Sequence, residues 1–270
     1  MREYMVKDKV VVVTGAASGI GAAICEKFGQ EGSRIALLDI NEEEVKVRER
    51  KLIEHGVDAF GQKCDVTSED ECNAVIKEII NHYGCVDVLV NNAGITQRCP
   101  FVDARVSMYR KVMDVNFFGS LHCTVAAVGS LIEQKGMVIV TSSIAGLAPV
   151  LGRTGYCASK HALHGFFSTL RSELKNYGVH VMIVCPGFTK TNLQTRALDG
   201  DGSVTTHAQS RVGSQASPGD VAAAIYYGAI KKKRLIVLTP VGKISYMLNK
   251  FAPAWYERIM AKQLKAEFKR

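Results

Sequence analysis

Tyr156 and Lys160 stand four residues apart in Tyr156-Cys157-Ala158-Ser159-Lys160. On a helix that spacing puts both side chains on one face. The chemistry on offer is proton transfer. A free phenol has a pKa of about 10, too high for ready exchange near neutrality. A neighbouring ammonium favours the tyrosinate and moves the group toward the range where general acid–base catalysis is efficient. Alone, the same pair also describes a helix surface on which a lysine stem lies over an aromatic ring. Its meaning depends on what the chain places beside it.

A second grouping suits an anionic ligand. Thr14-Gly15-Ala16-Ala17-Ser18-Gly19-Ile20-Gly21 follows the apolar run Val10-Val11-Val12-Val13 and opens a helical pattern to about Glu31. Strand, glycine turn and helix in that order form the first half of a dinucleotide-binding βαβ unit. Gly15 permits the tight turn, Gly19 lets backbone approach a pyrophosphate, and Gly21 lets helix and strand pack closely. The helix N-terminus adds amides and partial positive charge. The spacing is Gly-x-x-x-Gly-x-Gly, and the alternative is a βα loop that binds nothing. Asp39 ends the next apolar run, Arg34 to Leu38, 18 residues beyond Gly21. A carboxylate there can accept from a ribose diol and would repel a 2′-phosphate. No Lys or Arg lies in the turn or directly after Asp39, so NAD is expected over NADP.

The elements that must position these groups alternate regularly. Further strands are expected at Asp58–Lys63, Val86–Val90, Met137–Val140, Val179–Val184 and Leu235–Leu238, separated by helical patterns. Asn41 with Glu44, and Ser68 with Glu71, read as helix caps, the latter a capping box. One long helix is expected from about Val106 to Gln134. Asn116 inside it is a poor interior residue, so it either bends the helix or has a functional partner. Asn91-Asn92-Ala93-Gly94 and Thr141-Ser142-Ser143 close two of the strands, at the edge where α/β sheets bind ligands. A plain Asn/Gly turn is the alternative at residues 91–94. The pattern predicts one doubly wound α/β domain with a parallel seven-stranded sheet and helices on both faces.

With 270 residues, 47% hydrophobic and 22% charged, the chain can build one large core. The net charge of +8 leaves nucleic acid, acidic membranes and anionic ligands open. Lys231-Lys232-Lys233-Arg234 is read as a basic helix end rather than a nucleic-acid patch, and no nucleic-acid partner is expected. Eight cysteines are scattered singly, which suggests reduced thiols and no structural metal. The charged start lacks a signal-peptide pattern, and no apolar run approaches the roughly 20 residues that span a bilayer. A cytoplasmic protein is expected.

Thr14-Gly15-x-x-x-Gly19-x-Gly21, Asn91-Asn92-Ala93-Gly94, Asn116, Ser143, Tyr156-x-x-x-Lys160 and Pro186-Gly187 occur in the order found in the short-chain dehydrogenase/reductase family, with Ser143 13 residues before Tyr156. The chain resembles that family over roughly residues 6–240. The resemblance implies a Rossmann fold and a catalytic tetrad. Tyr156 would be the acid/base, and Lys160 would lower its pKa and bond the nicotinamide ribose. Ser143 would hold the substrate oxygen, and Asn116 would anchor a water leading from Lys160. For the cofactor it implies Gly15, Ser18, Gly19, Ile20 and Gly21 at the pyrophosphate and Asp39 at the adenine ribose. Asp65 and Val66 would border adenine, while Asn92, Ala93 and Gly94 support the dinucleotide. Pro186, Gly187, Thr189 and Thr191 would hold the nicotinamide end. It also implies a homo-oligomer, a dimer or a homotetramer, through the Asn116 and Tyr156 helices.

The implied activity is NAD-dependent interconversion of a secondary alcohol and a ketone. Residues 189–217, without regular pattern, would close over the substrate beside Ile144, Ala145, Leu147, Val150, Gly187 and Phe188. That lining favours a hydrophobic substrate, hydroxysteroid- or lipid-like, although Arg153, Lys190 and Arg196 could turn inward. The alternatives are an NADP-dependent carbonyl reductase and a silent dinucleotide-binding regulator. Residues 241–270 form an amphipathic extension, with Trp255, Ile259, Met260, Leu264 and Phe268 expected near one face. It is a candidate for peripheral membrane contact.

Overall fold

Val10–Val13 is β-branched on both sides of the strand, so neither face can be left in water. The computed structural model describes residues 4–210, 214–264 and 267. It buries all four valines in a sheet covered on both faces. The strands are β1 (Val10–Thr14), β2 (Arg34–Asp39), β3 (Ala59–Lys63), β4 (Val88–Asn91), β5 (Met137–Thr141), β6 (His180–Cys185) and β7 (Leu235–Val237). They form one seven-stranded sheet in the order β3-β2-β1-β4-β5-β6-β7, parallel at every pairing.

Side chains alternate across this sheet with the period of two that strands impose. Val11 and Val13 join a core with α1 (Gly19–Gln30), α2 (Glu42–Glu54) and α7 (Pro218–Ile230). Val10 and Val12 join the other, with α3 (Glu69–Tyr83), α5 (Gly119–Glu133) and α6 (Thr154–Glu173). The expected doubly wound architecture is present. Every loop that carries a candidate residue leaves the carboxyl edge of the sheet. The crevice opens between β1 and β4, where the strand order reverses.

Several local expectations need correction. Asn41 caps α2 by accepting from Glu44 N, but the box at α3 is only half made. Ser68 Oγ accepts from Glu71 N, whereas the Glu71 carboxylate takes Asp65 N instead of Ser68. The long helix is three pieces: α4 (Val106–Met113), a π-helical turn at Asp114–Phe118, and α5. The stretch Val106–Glu133 spans 28 residues with a mean hydropathy of 1.5 in its most apolar window, so one segment does reach spanning length. Its inner side lies on the sheet through Cys123, Ala127 and Leu131.

Beyond β7 come α8 (Pro240–Phe251) and α9 (Pro253–Leu264). The expected single apolar face of α9 splits. Tyr256 and Leu264 are buried and Met260 half-buried, while Trp255 and Ile259 are exposed. Phe268 and residues 211–213 of the substrate segment lie outside the described residues.

Asp87 fastens the far edge of the sheet: its buried carboxylate accepts from Val10 N (2.9 Å) and Lys9 Nζ (2.7 Å). Asp87→Ala strands the Val10 amide inside the protein. It should cost about 2 kcal/mol, seen as a lower urea midpoint at unchanged slope.

Candidate active site

The glycine turn after β1 is shaped by what it must not carry. Gly15 holds a φ of +65°, and a side chain there would crowd the backbone of Ala93 after β4. A Cβ on Gly21 would collide with the Gly15 carbonyl. Gly19, at φ +57°, faces Thr191 from the loop after β6, which a Cβ would meet at 3.1 Å. The start of α1 is also left open. Ser18 makes no side-chain capping bond and the first turn has no acidic residue. By contrast α2, α3 and α7 begin with a capping side chain and carboxylates. Free first-turn amides beside a glycine cradle fit a pyrophosphate.

Asp39 reaches the same turn. Its Oδ2 accepts from Ala17 N and its Oδ1 from Asn41 N, both at 3.1 Å. The turn and the residues directly after Asp39 hold no Lys or Arg, but a cation from further along the chain comes close. Arg48, on α2, donates its Nε to Ala17 O (3.1 Å) and pairs with Glu26 at 3.7 Å. Asp65 and Val66 follow β3 at the same edge, and Asp65 Oδ1 accepts from both the amide and the hydroxyl of Thr67. Asn92 and Ala93 brace the turn rather than face outward: their amides donate to Thr14 Oγ1, at 2.9 and 3.0 Å. Pro186, Gly187, Thr189 and Thr191 lie across from them, Thr189 Oγ1 donating to Gly187 O. Ser18 is exposed and Ile20 half-buried beside the open turn.

The four proton-handling candidates converge. Ser143, after β5, accepts at its Oγ from Ala145 N (3.2 Å) and stands near enough to the Tyr156 phenol to favour its ionised form. Lys160 Nζ lies 5.7 Å from the Tyr156 ring centre and donates to Thr141 O at 2.9 Å. Asn116 occupies the π-turn, fully buried. A Cβ on Gly94 would lie 3.2 Å from Asn116 Oδ1 and 3.6 Å from Lys160 Nζ, so the two side chains border one small space. The Asn116 side chain is used within the protein. Its Oδ1 accepts from Ile95 N, and its Nδ2 donates to Ile95 O and Ser159 Oγ. Its backbone carbonyl accepts from Ser120 Oγ (2.9 Å) one turn on.

Burial dominates the electrostatics. Desolvation pushes Tyr156 up to about 12, and the nearby Ser143 is the influence that pulls it down. Burial also pushes Lys160 down to about 8. The expected acidification of the phenol by Lys160 is therefore not what this structure shows. Both groups lose hydration, and each is driven toward its neutral form.

Some contributors had no local signal in the sequence. Gln97 is fully buried and accepts from Tyr156 N at 3.2 Å. Ser159 holds Asn116, and the Thr141 carbonyl holds Lys160. Of the basic residues that could turn inward, Arg153 does and is paired with Glu267, Lys190 is exposed, and Arg98 is buried unforeseen. Ile144, Leu147, Val150, Gly187 and Phe188 are half-buried and Ala145 buried. Gly242 of α8 packs on Ile144, and Asn249 donates to Leu147 O. Among the described residues no cluster of His, Cys, Asp or Glu could hold a metal ion.

A family model described as short chain dehydrogenase matches residues 9–201. The chain is 32% identical to "Dehydrogenase/reductase SDR family member 7B" of Danio rerio, over 98% of this chain and 89% of that protein. It is 34% identical to the Mus musculus protein of the same name, over 97% and 83%. It is 33% identical to "Dehydrogenase/reductase SDR family protein 7-like" of Drosophila melanogaster, over 94% and 80%. Its fold matches a short chain dehydrogenase/reductase from Burkholderia phymatum solved in complex with NAD, at TM-score 0.84 and 23% identity, over 93% and 96% of the two chains.

Lys160 makes stability depend on pH with a definite sign. Its pKa falls from 10.5 unfolded to about 8 folded, so between those values the unfolded chain binds the extra proton. Folding stability then rises with pH. Tyr156 opposes this only above about pH 10, where the unfolded phenol ionises first. Between pH 8 and 10 the wild type should gain about 2 kcal/mol relative to Lys160→Met, read from urea unfolding at the two pH values.

Proposed function

The chain belongs to the short-chain dehydrogenase family, and from that premise we propose an NAD(H)-dependent oxidoreductase that interconverts a secondary alcohol and a ketone. The observation that carries the reading is the convergence of Ser143, Tyr156, Lys160 and Asn116 at one sheet edge, beside an open glycine cradle. Asp39 at the turn supports NAD, since a 2′-phosphate would approach its carboxylate. When bound, the dinucleotide supplies the hydride acceptor or donor.

Each side chain then has a task. In oxidation Tyr156 takes the hydroxyl proton of the alcohol only in its ionised form, after its own proton has left, and in reduction it gives its proton to the carbonyl oxygen. Ser143 holds that oxygen and stabilises the charge that develops on it. Lys160, with a pKa of about 8, exchanges protons near neutral pH and so resets the phenol. Asn116 is a positioning residue. By holding Ile95 and Ser159 it fixes the π-turn against the helix that carries Tyr156 and Lys160. The apolar surround of Ile144, Ala145, Leu147, Val150 and Phe188 supports a hydrophobic substrate of steroid or lipid kind.

Two kinds of partner belong to the same proposal. The groove between Phe117 and Phe166, lined also by Ala162, Thr169 and Leu170, suits a second copy of the chain. On α8 and α9, Ile244, Met247, Phe251, Trp255 and Ile259 are exposed among Lys243, Lys250, Arg258 and Lys262. That mixture suits an anionic bilayer surface. All eight cysteines are free thiols, which supports a reducing, cytoplasmic compartment.

Tyr156→Phe should lower turnover at least 100-fold while NAD still binds. NADH absorbance with a panel of secondary alcohols measures the first, and quenching of protein fluorescence the second. Saturable NAD binding without turnover by the wild type on a broad panel would instead favour a dinucleotide-binding regulator. Asp39→Ala should raise the ratio of NADP to NAD use, and an unchanged ratio would count against the cofactor assignment. Trp255 is the single tryptophan, so phosphatidylserine vesicles, but not pure phosphatidylcholine ones, should blue-shift the emission. Identical emission with both would remove the membrane partner.

A further inference from the structure

A phenol that transfers protons is only as well placed as the peptide that carries it. Tyr156 is the third residue of α6, so its amide lies ahead of the first carbonyl that the helix could offer it. At α2, α3, α7 and α8 the residue before the helix accepts from the equivalent amide through its own side chain, namely Asn41, Ser68, Ser217 and Thr239. α6 is preceded by Arg153, whose guanidinium has no acceptor to offer and makes no capping bond. The acceptor comes instead from the loop after β4. Gln97 Oε1 takes the Tyr156 amide at 3.2 Å, from 59 positions away in the sequence.

Gln97 is fully buried, and Gly155 makes room for it. A Cβ on Gly155 would stand 2.5 Å from Gln97 Oε1 and 2.6 Å from Tyr109 Cδ1. The Tyr156 carbonyl is held as well. It accepts from Ser159 Oγ at 2.8 Å, and that hydroxyl accepts in turn from Asn116 Nδ2 at 2.9 Å. Asn116 exchanges two bonds with Ile95, two residues before Gln97. The bonds therefore close a ring that runs from the Tyr156 amide through Gln97, Ile95, Asn116 and Ser159 to the Tyr156 carbonyl. Residues 95–97 are themselves fixed by Leu198, whose amide donates to Thr96 O and whose carbonyl accepts from Arg98 N, each at 2.9 Å.

We propose that Gln97 is a positioning residue for proton transfer, which caps α6 from outside and fixes the Tyr156 phenol against Ser143 and the substrate oxygen. The inference rests on the oxidoreductase reading and deepens it. Gln97 acts through the Tyr156 backbone and not on the substrate. An amide does this without charge. The first turns of α2, α3 and α7 carry carboxylates and that of α6 carries none, so the helix start sets no negative charge beside the phenol. Such a charge would oppose the ionised form that oxidation requires.

Reduction of a broad panel of hydrophobic ketones headed by 2-decanone, followed by NADH absorbance at neutral pH, tests the role. Gln97→Met keeps the bulk of the side chain and lacks the acceptor oxygen. It should lower kcat about 10- to 100-fold, the cost of misplacing a reacting group by about 1 Å. The ketone KM, and the NAD affinity from fluorescence quenching, should stay near the wild-type values. Gln97→Glu restores an acceptor and should recover most of the wild-type kcat for reduction. A cap that is only structural would lower Tm yet leave kcat unchanged well below Tm, and that result overturns the positioning role. So does a raised KM at unchanged kcat, or a Gln97→Glu enzyme as slow as Gln97→Met. Gly155→Ala is the second variant, because it displaces the Gln97 oxygen while alanine favours the helix. It should lower kcat too, and the double variant should be no slower than the slower single one, since both break the same bond. If Gln97→Met does not fold, a wild-type kcat in Gly155→Ala overturns the proposal. Turnover that is unchanged in both variants removes the role of Gln97 and leaves the oxidoreductase standing, whereas a wild type that reduces none of the panel overturns both.

Discussion

The Thr14 hydroxyl ties together the two loops between which the site opens. It accepts from the amides of Asn92 and Ala93 while Asn92 Nδ2 returns a bond to Thr14 O. β1 and β4 are neighbours whose connections leave to opposite faces, so their ends would otherwise part. This small clamp keeps the Gly15 turn against Ala93, a contact that only a residue without Cβ allows. It also sets where Gly94 lies, and Gly94 marks the space that Asn116 and Lys160 border. The cradle and the proton-handling residues are thus held by one set of hydrogen bonds.

Polar groups are buried here at a cost that the neighbouring elements offset. Lys160 is shut in against Thr141 O, and Asn116 spends its side chain on Ile95 and Ser159. In a low-dielectric surround each such bond is stronger, and each missing one is more damaging. The same burial moves Lys160 toward neutral pH and holds the phenol protonated. A site tuned in this way is sensitive to any charge placed beside it. The Arg98–Arg153–Glu267 cluster shows the other side of that sensitivity, because among the described residues two of the Arg98 donors meet no hydrogen-bond partner.

Much of the architecture was legible because it follows from short-range rules. A run of β-branched residues demands a strand covered on two faces, and glycine followed by a helical pattern demands a turn. The Asn41 cap of α2 was readable from residue types three apart, and α3 shows how such reading fails. Glu71 had a competitor, Asp65 N, that spacing does not reveal. The π-turn was visible only as an Asn in an unfavourable place. Its form depends on Ile95, Ser120 and Ser159, which approach Asn116 from elsewhere in the chain or from the next turn.

Local order along the chain thus determined the strand–helix alternation, the open glycine turn and the residues able to move a proton, since each depends on neighbours within a few positions. Tertiary structure decided the charges. Arg48 reaches Ala17 from α2, Arg153 meets Glu267 across more than a hundred residues, and Arg98 ends buried with two donors unpartnered among the described residues. The physical reason is that a group's solvation and its partners are set by whatever packs on it. Those neighbours come from distant segments that no spacing rule brings together.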